Sequence, residues 1–190
     1  MKVVAFVPIK LSNQRLPGKN LLPLAGKPLC KYIFETLLSV REIDEVIAYC
    51  SDEALLDYLP EKVSFLKRSE ELDGNMVKGA QIYSAFLNDV DADVYVLAHA
   101  TSPFIKSDSI SKGVRAVVSG DYDSAFAAER IQTFAWFEGH PLNYSLNDVP
   151  RTQDIEPVWI ETSAFYIFRK EVFETHGRRI GFKPFLVETE

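Results

Sequence analysis

The order of elements predicts an α/β fold, a three-layer α/β/α arrangement with a mostly parallel sheet, plus an aromatic hairpin arm. Three observations carry this expectation. Short β-rich runs alternate with segments of helical periodicity along the first two thirds of the chain. The run Val94–Ala98 is apolar at every position, the pattern of a strand covered on both faces. The chain has 190 residues, 47% of them hydrophobic, which at about 150 residues per domain makes one domain with a sizeable core.

Each element has its own local reason. Val3–Val7 is a continuous apolar strand, and the polar, Pro- and Gly-punctuated stretch Pro8–Pro28 is a loop. Leu29, Ile33, Leu37 and Leu38 recur at helical spacing and predict a helix through Cys30–Val40. Glu45–Cys50 reads as a second strand, Asp52–Leu59 as a short helix ended by Pro60, and Val63–Leu66 as a third strand. Val77, Ala80, Tyr83 and Leu87 stripe a helix over Met76–Asn88, followed by the strand Val94–Ala98. Ile110, Val114, Val117 and Val118 stripe the next helix, with Ser107 or Asp108 as N-cap and Gly120 as stop. Ser124–Ala128 is a fifth strand.

From Ile131 the character changes. Phe134–Tyr144 reads as a hairpin rich in large aromatics, and Val158–Ile160 and Ala164–Phe168 as two further strands. The segment at about 131–160 is read either as an arm covering a neighbouring subunit or the site, or as an ordinary edge hairpin. Phe185–Glu190 reads as a strand with no helix to cover it, which predicts that the natural polypeptide extends further.

Charge and cysteine content exclude several classes. A formal net charge of −6 argues against a nucleic-acid partner, whose footprint is basic. No apolar run approaches the roughly 18 residues of a membrane span, and Met1–Pro8 reads as a strand rather than a signal peptide. Cys30 and Cys50 have no metal-ligand spacing and are expected as buried free thiols in a reducing, cytoplasmic setting.

Ligands in open α/β sheets bind beyond the carboxyl ends of the strands. Asp91-Ala92-Asp93 and Asp121-Tyr122-Asp123 look like metal-binding pairs but precede strands, so they are expected to be solvated loops at the wrong edge. The exit of the first strand, Lys10-Leu11-Ser12-Asn13-Gln14-Arg15-Leu16-Pro17-Gly18-Lys19-Asn20, is neither a G-x-G-x-x-G fingerprint nor a P-loop. It nevertheless gathers Lys10, Arg15 and Lys19 with hydroxyl and amide donors, and Pro17-Gly18 sets a turn. Such donors match a polyphosphate, Arg as a planar fork and Lys as a point charge; a basic surface loop is the other reading.

Arg15-Leu16-Pro17-Gly18-Lys19-Asn20 followed by Leu24-Ala25-Gly26-Lys27-Pro28-Leu29 resembles the opening of the CMP-N-acylneuraminate synthetase (acylneuraminate cytidylyltransferase) family. The resemblance continues in order through Cys50-Ser51-Asp52, Lys67–Leu72, His99-Ala100-Thr101-Ser102-Pro103, Pro150-Arg151-Thr152-Gln153 and Glu161–Phe168, nearly the whole chain. It implies the nucleotide-diphospho-sugar transferase fold, a homodimer that exchanges the arm, and a reaction joining CTP to an acidic sialic-acid-like sugar with loss of pyrophosphate. Arg15 and Lys19 would then be the catalytic cations. The nucleotide would be held by Lys10, Leu11, Ser12, Asn13, Gln14, Asn20, Ser51, Asp52 and Arg68, and the sugar by His99, Thr101, Arg151 and Glu161. Mg²⁺ is implied as cofactor, with its aspartate ligands beyond the end of this chain; Glu188 and Glu190 have similar spacing but fall in the preceding family block.

Several of these residues also have structural readings. Asp52 fits a helix N-cap, Arg68 a surface salt bridge to Glu70 or Glu71, and His99 a hydrogen bond to the Thr101–Pro103 turn. The chain carries Lys10, Leu11-Ser12-Asn13 and Gln14 where the family usually has Arg, small residues and often Lys, and His99 where many relatives have Gln. These departures leave open a transferase for another nucleotide or sugar, and a catalytically impaired nucleotide-sugar-binding paralogue.

Overall fold

The computed structural model describes residues 1–189; Glu190, the end of the expected last strand, lies outside the described residues. Strand β1 (Val3–Ile9) is buried along nearly all its length, as its apolar, β-branched sequence requires. Within the following loop, β2 (Pro23–Leu24) and β3 (Lys27–Pro28) form a two-stranded ribbon. Its turn residues Ala25 and Gly26 both take positive φ, as a two-residue hairpin turn demands. Helix α1 (Leu29–Leu38) buries Cys30, Ile33, Phe34 and Leu37, a stripe shifted by one position from the expected set. The exposed Leu38 is excluded from it.

Strand β4 (Glu45–Cys50) matches its expected bounds. Asp52 then caps a 3-10 helix over Glu53–Tyr58, its Oδ1 accepting the Ala54 N–H at 2.9 Å. The N-cap reading of Asp52 is therefore correct. Strand β5 (Ser64–Lys67) leads into a 3-10 turn over Glu70–Asp73. Helix α2 (Gly79–Asp89) starts three residues later than the sequence suggests. Val77 lies in the preceding turn, and Lys78 donates its N–H to Gln81 Oε1 at 2.8 Å as the helix begins. Strand β6 (Val94–Ala98) is fully buried. Helix α3 (Ser107–Val118) has Lys106 at its N-cap, so Ser107 and Asp108 sit inside the first turn rather than capping it. Gly120 follows the helix with φ +91° and ends it as expected.

Strand β7 (Ser124–Ile131) is longer than its apolar core because its last residues emerge at the sheet edge. β8 (Trp136–Phe137) and β9 (His140–Pro141) form a separate two-stranded ribbon, not an extra edge of the main sheet. Asn143 fastens its base by donating to the Thr133 and Glu156 carbonyls and accepting the Ala135 N–H. The two strands expected at 158–160 and 164–168 are one, β10 (Val158–Arg169), interrupted by a register shift between Glu161 and Tyr166. A short helix with no counterpart in the sequence reading, α4 (Lys170–His176), precedes the last strand β11 (Pro184–Glu188).

The seven-stranded sheet has the order β11-β7-β10-β6-β1-β4-β5. All neighbours are parallel except β10, which runs antiparallel to both β6 and β7. β10 returns directly from the arm with no helical crossover, so it descends where its neighbours climb. Alternate residues of β1 feed two cores: Val3, Ala5, Val7 and Ile9 join α1 and α3, while Val4 and Phe6 join α2 and α4. This is the three-layer α/β/α fold. Gly113 of α3 allows close approach to the sheet, since a Cβ there would lie 2.7 Å from Ile167 Cδ1. No helix among the described residues is long and apolar enough to cross a membrane.

The expected solvated acidic loops instead hold chain segments together. Asp93 accepts the Lys2 N–H at 2.6 Å, Asp91 pairs with Lys170, and Asp123 accepts the N–H groups of Phe182 and Lys183. Their placement at the amino edge of the strands is as expected. Cys30 and Cys50 are free and buried, and burial pushes the Cys30 thiol up to about 11.

Phe86 is the hub of the second core. Its ring stacks on Phe6 with centroids 4.1 Å apart and meets Tyr49 and Tyr95 edge-on. Phe86→Ala is expected to cost about 3–5 kcal/mol in urea unfolding. The exposed Met76→Ala should stay within about 0.5 kcal/mol.

Candidate functional site

The carboxyl ends of β1, β4, β5 and β6 lie along one edge, and the loops leaving them hold most of the predicted residues. The β1 loop is folded onto itself rather than splayed. Gly18 donates its N–H to the Leu11 carbonyl at 3.2 Å, which requires the turn that Gly18 makes with φ +64°. The buried amide of Asn20 donates to the Lys10 carbonyl at 3.0 Å. Asn20 thus tethers the loop from within. The outer side of the loop frames a cleft of about 480 Å³ lined by Lys10, Asn13, Gln14, Arg15, Lys19 and Asn75. Among the described residues no carboxylate or hydrogen-bond acceptor engages the side chains of Arg15 or Lys19. A cleft with two uncompensated cations and several amides favours an anion.

Next to it lies a second cleft of about 540 Å³, where Leu11 and Ser12 face Ser51, Asp52 and Asp73. Its organiser is Asp73, a residue the sequence reading missed. The Asp73 carboxylate accepts from Ser51 Oγ and from Arg68 Nη2, and its backbone carbonyl accepts from Lys10 Nζ. Arg68 is buried, donates also to the Ile9 carbonyl at 3.0 Å, and lies 5.7 Å from the Tyr49 ring centroid. The expected surface bridge from Arg68 to Glu70 or Glu71 is therefore wrong. The 3-10 turn over Glu70–Asp73 carries Asp73 back under the strand ends and leaves the other two acids outside. The Arg68 Nε is buried with no partner.

A third group gathers where β6 meets β10. His99 follows β6 directly, and its Nδ1 lies 2.6 Å from the Ser163 carbonyl. A carbonyl only accepts, so Nδ1 carries the proton and Nε2 is the open acceptor of the neutral ring. Burial lowers the His99 pKa below its ordinary value, with the nearby Arg179 charge acting in the same direction. The Thr101–Pro103 turn does not bond the ring; only the His99 backbone carbonyl accepts the Ser102 N–H. Ser163 takes φ +59° at the register shift of β10, the local strain that turns its carbonyl toward His99. Glu161 accepts the Tyr166 hydroxyl at 2.8 Å, so its placement rests on Tyr166, another residue not singled out from the sequence.

Thr101 lies in a neighbouring cleft of about 470 Å³ with Ser102, Phe104, Ser109, Thr162 and Thr189. Arg151 is not drawn into any of these groups. It is exposed and bonds Asp154 at 2.7 Å within its own 3-10 turn.

Breaking the Arg68–Asp73 pair leaves a buried charge without compensation. Asp73→Ala is expected to lower stability by about 3–5 kcal/mol in chemical denaturation. Glu70→Ala, at the exposed position, should change it by less than about 1 kcal/mol.

Comparison with known proteins bears on this arrangement. The family model described as cytidylyltransferase matches residues 4–185. N-acylneuraminate cytidylyltransferase of Streptococcus agalactiae serotype III (strain NEM316) is 26% identical, over 91% of this chain and 45% of that protein. The chain thus spans about half the length of that relative. Pseudaminic acid cytidylyltransferase of Campylobacter jejuni is 22% identical, over 87% of this chain and 78% of its own. Among solved structures, CMP:2-keto-3-deoxy-manno-octonic acid synthetase complexed with CTP superposes with a TM-score of 0.72 at 18% identity. The match covers 100% of this chain and 91% of that one, so the two share a fold. The matched span runs from Val4 in β1 to Phe185 at the start of β11 and takes in all three groups at the carboxyl edge of the sheet, and on that ground the chain belongs to the cytidylyltransferase family.

Proposed function

We propose that this protein transfers CMP from CTP to an acidic nonulosonic sugar, releasing pyrophosphate. The observation that carries the proposal is the pair Arg15 and Lys19, two cations without protein partners at the exit of the first strand. In this reading the triphosphate lies along that loop. The nucleoside sits over the adjoining cleft of Ser12, Ser51 and Asp52, where the buried Arg68 supports the floor. The acceptor approaches from the side of His99, Thr101 and Glu161.

The anomeric hydroxyl of the sugar attacks the α-phosphorus in line. A new O–P bond forms, the bond to pyrophosphate breaks, and the hydroxyl proton is released. Phosphoryl transfer of this kind gains most from alignment and from neutralising charge on the phosphate oxygens, which is the work proposed for Arg15 and Lys19. His99 contributes as a neutral acceptor: with Nδ1 occupied by Ser163, its Nε2 is available to a sugar hydroxyl. Its lowered pKa keeps that acceptor unprotonated at neutral pH.

Mg²⁺ enters the proposal as a companion of the triphosphate. Among the described residues no group of three or more His, Cys, Asp or Glu side chains is arranged to hold a metal ion. Relatives named for N-acylneuraminate, pseudaminic acid and the eight-carbon 2-keto-3-deoxy-manno-octonic acid support an acidic sugar as acceptor without choosing among the three.

A second reading, a nucleotide-binding module without turnover, draws on Lys10 and Gln14. The Lys10 ammonium is engaged by the Asp73 carbonyl and Gln14 brings no charge, which leaves two cations for three phosphates.

The proposed homodimer rests on the arm. Trp136, Phe137, Leu142, Leu146 and Ile160 are exposed on one stretch of chain, as an unassociated surface rarely allows.

Two experiments follow. Pyrophosphate release is measured with CTP and, in turn, N-acetylneuraminate, pseudaminate and 3-deoxy-manno-octulosonate. Arg15→Ala and Lys19→Ala are each expected to lose about 2–4 kcal/mol of transition-state stabilisation. Full turnover in both variants removes them from the mechanism, and CTP binding without pyrophosphate release favours the second reading. In light scattering, Trp136→Glu combined with Phe137→Glu should convert a dimer to a folded monomer; an unchanged mass overturns the arm's role.

A further inference from the structure

Arg179 lies in none of the groups described above, yet it is held more tightly than most surface arginines. Its guanidinium carbon sits 3.6 Å from the centroid of the Tyr166 ring, and Nη1 donates to Tyr83 Oη at 2.8 Å. Gly79 makes room for that hydroxyl at the start of α2, since a Cβ there would lie 2.7 Å from it. Stacking against an aromatic face occupies the flat side of a guanidinium and leaves its N–H edges directed outward. Tyr83 uses only one of those donors. Among the described residues no carboxylate pairs with Arg179, and the acid closest in the network, Glu161, is committed to the Tyr166 hydroxyl.

The position of this cation matters as much as its freedom. Tyr166, on which it lies, meets the His99 ring edge-on with centroids 6.3 Å apart, and the Arg179 charge is felt at His99. Through Tyr166, Arg179 thus adjoins the group of His99 and Glu161 at which the proposed acceptor would approach. A cleft of about 230 Å³ opens beside it, between Gly79 and Ala80 of α2 and Phe173 and Gly177 of the α4 end. Arg151, by contrast, is exposed and pairs with Asp154 within its own 3-10 turn, outside this group.

We propose that Arg179, laid flat on Tyr166 and anchored by Tyr83, binds the carboxylate of the acidic acceptor and makes the enzyme select an acid over a neutral sugar. A carboxylate takes two parallel hydrogen bonds from a guanidinium edge, and an arginine held in place before binding loses little freedom in making them. This inference rests on the transferase reading and adds to it the residue that recognises the acid.

The test has a catalytic and a binding arm. In the pyrophosphate assay, Arg179→Gln is expected to raise KM for the acid about 10- to 100-fold while the CTP affinity by calorimetry changes by less than about twofold. Arg179→Lys should fall between the two, since it keeps the charge and loses the fork. Wild-type protein should favour the acid over its methyl ester, and Arg179→Gln should lose that preference; Arg151→Gln should keep it. An unchanged KM and an unchanged acid-over-ester preference in Arg179→Gln overturn the proposal.

The binding arm is independent of turnover. The Arg179 Nε–Hε NMR signal, identified by its loss in Arg179→Lys, should shift on titration with at least one of the three sugar acids. If none moves it, the proposal fails even where CTP is bound and cleaved. If CTP is neither bound nor cleaved, the transferase reading falls by itself and the titration still decides whether Arg179 binds a carboxylate. Should Arg179→Gln not fold, the wild-type titration and Arg179→Lys carry the decision.

Discussion

Three strand ends of this protein are held in place by one buried guanidinium. Arg68, just beyond β5, donates to the last carbonyl of β1 and to Asp73, whose carboxylate also takes the hydroxyl of Ser51 beyond β4. A buried arginine is tolerable when its charge is met by a partner. Asp73 supplies the charge, and the backbone of β1 supplies a second acceptor. The same residue reaches Lys10 through its carbonyl, so the first loop is tied to the group as well. The clefts on this edge inherit their shape from that set of bonds, and Arg15 and Lys19 remain outside it, free for an external anion.

The other half of the edge depends on strand direction. Because β10 runs against its neighbours, its register shift falls beside the carboxyl end of β6 instead of at the opposite edge. Ser163 then meets His99, and Tyr166 projects to the α2 side of the sheet beneath Arg179. Backbone strain at one residue thereby sets the tautomer of a histidine 64 positions away. The two halves have different characters. The β1 loop is cationic and amide-rich, suited to phosphates, the adjoining β4–β5 cleft is lined by hydroxyls and carboxylates, and the β6–β10 side carries hydroxyls, a neutral imidazole, Glu161 and the clamped Arg179.

Much of this was visible in order along the chain. Strand β4 and strand β6 kept their expected bounds because uninterrupted apolar runs leave little choice of phase. Asp52 was recognisable as a cap because capping is a contact between near neighbours in sequence. Helix faces were less secure: Cys30 and Phe34 join the buried stripe of α1 and Leu38 does not, a shift that propensity alone does not report. Helix α4 is only seven residues long and escaped notice, since so short a stretch carries barely two turns of periodicity.

What the amino-acid order determined by itself was the alternation of strand and helix, the basic composition of the first loop and the succession of family-like blocks. Each is a property of residues close together in the chain, where periodicity and propensity act. Only the tertiary structure decided that Arg68 answers to Asp73 rather than its acidic neighbours, that His99 bonds Ser163, and that Arg179 rests between Tyr166 and Tyr83. Those pairings depend on where the sheet and its turns deliver side chains in space. A charge or hydrogen bond is satisfied by distance and direction, and neither is written in local spacing.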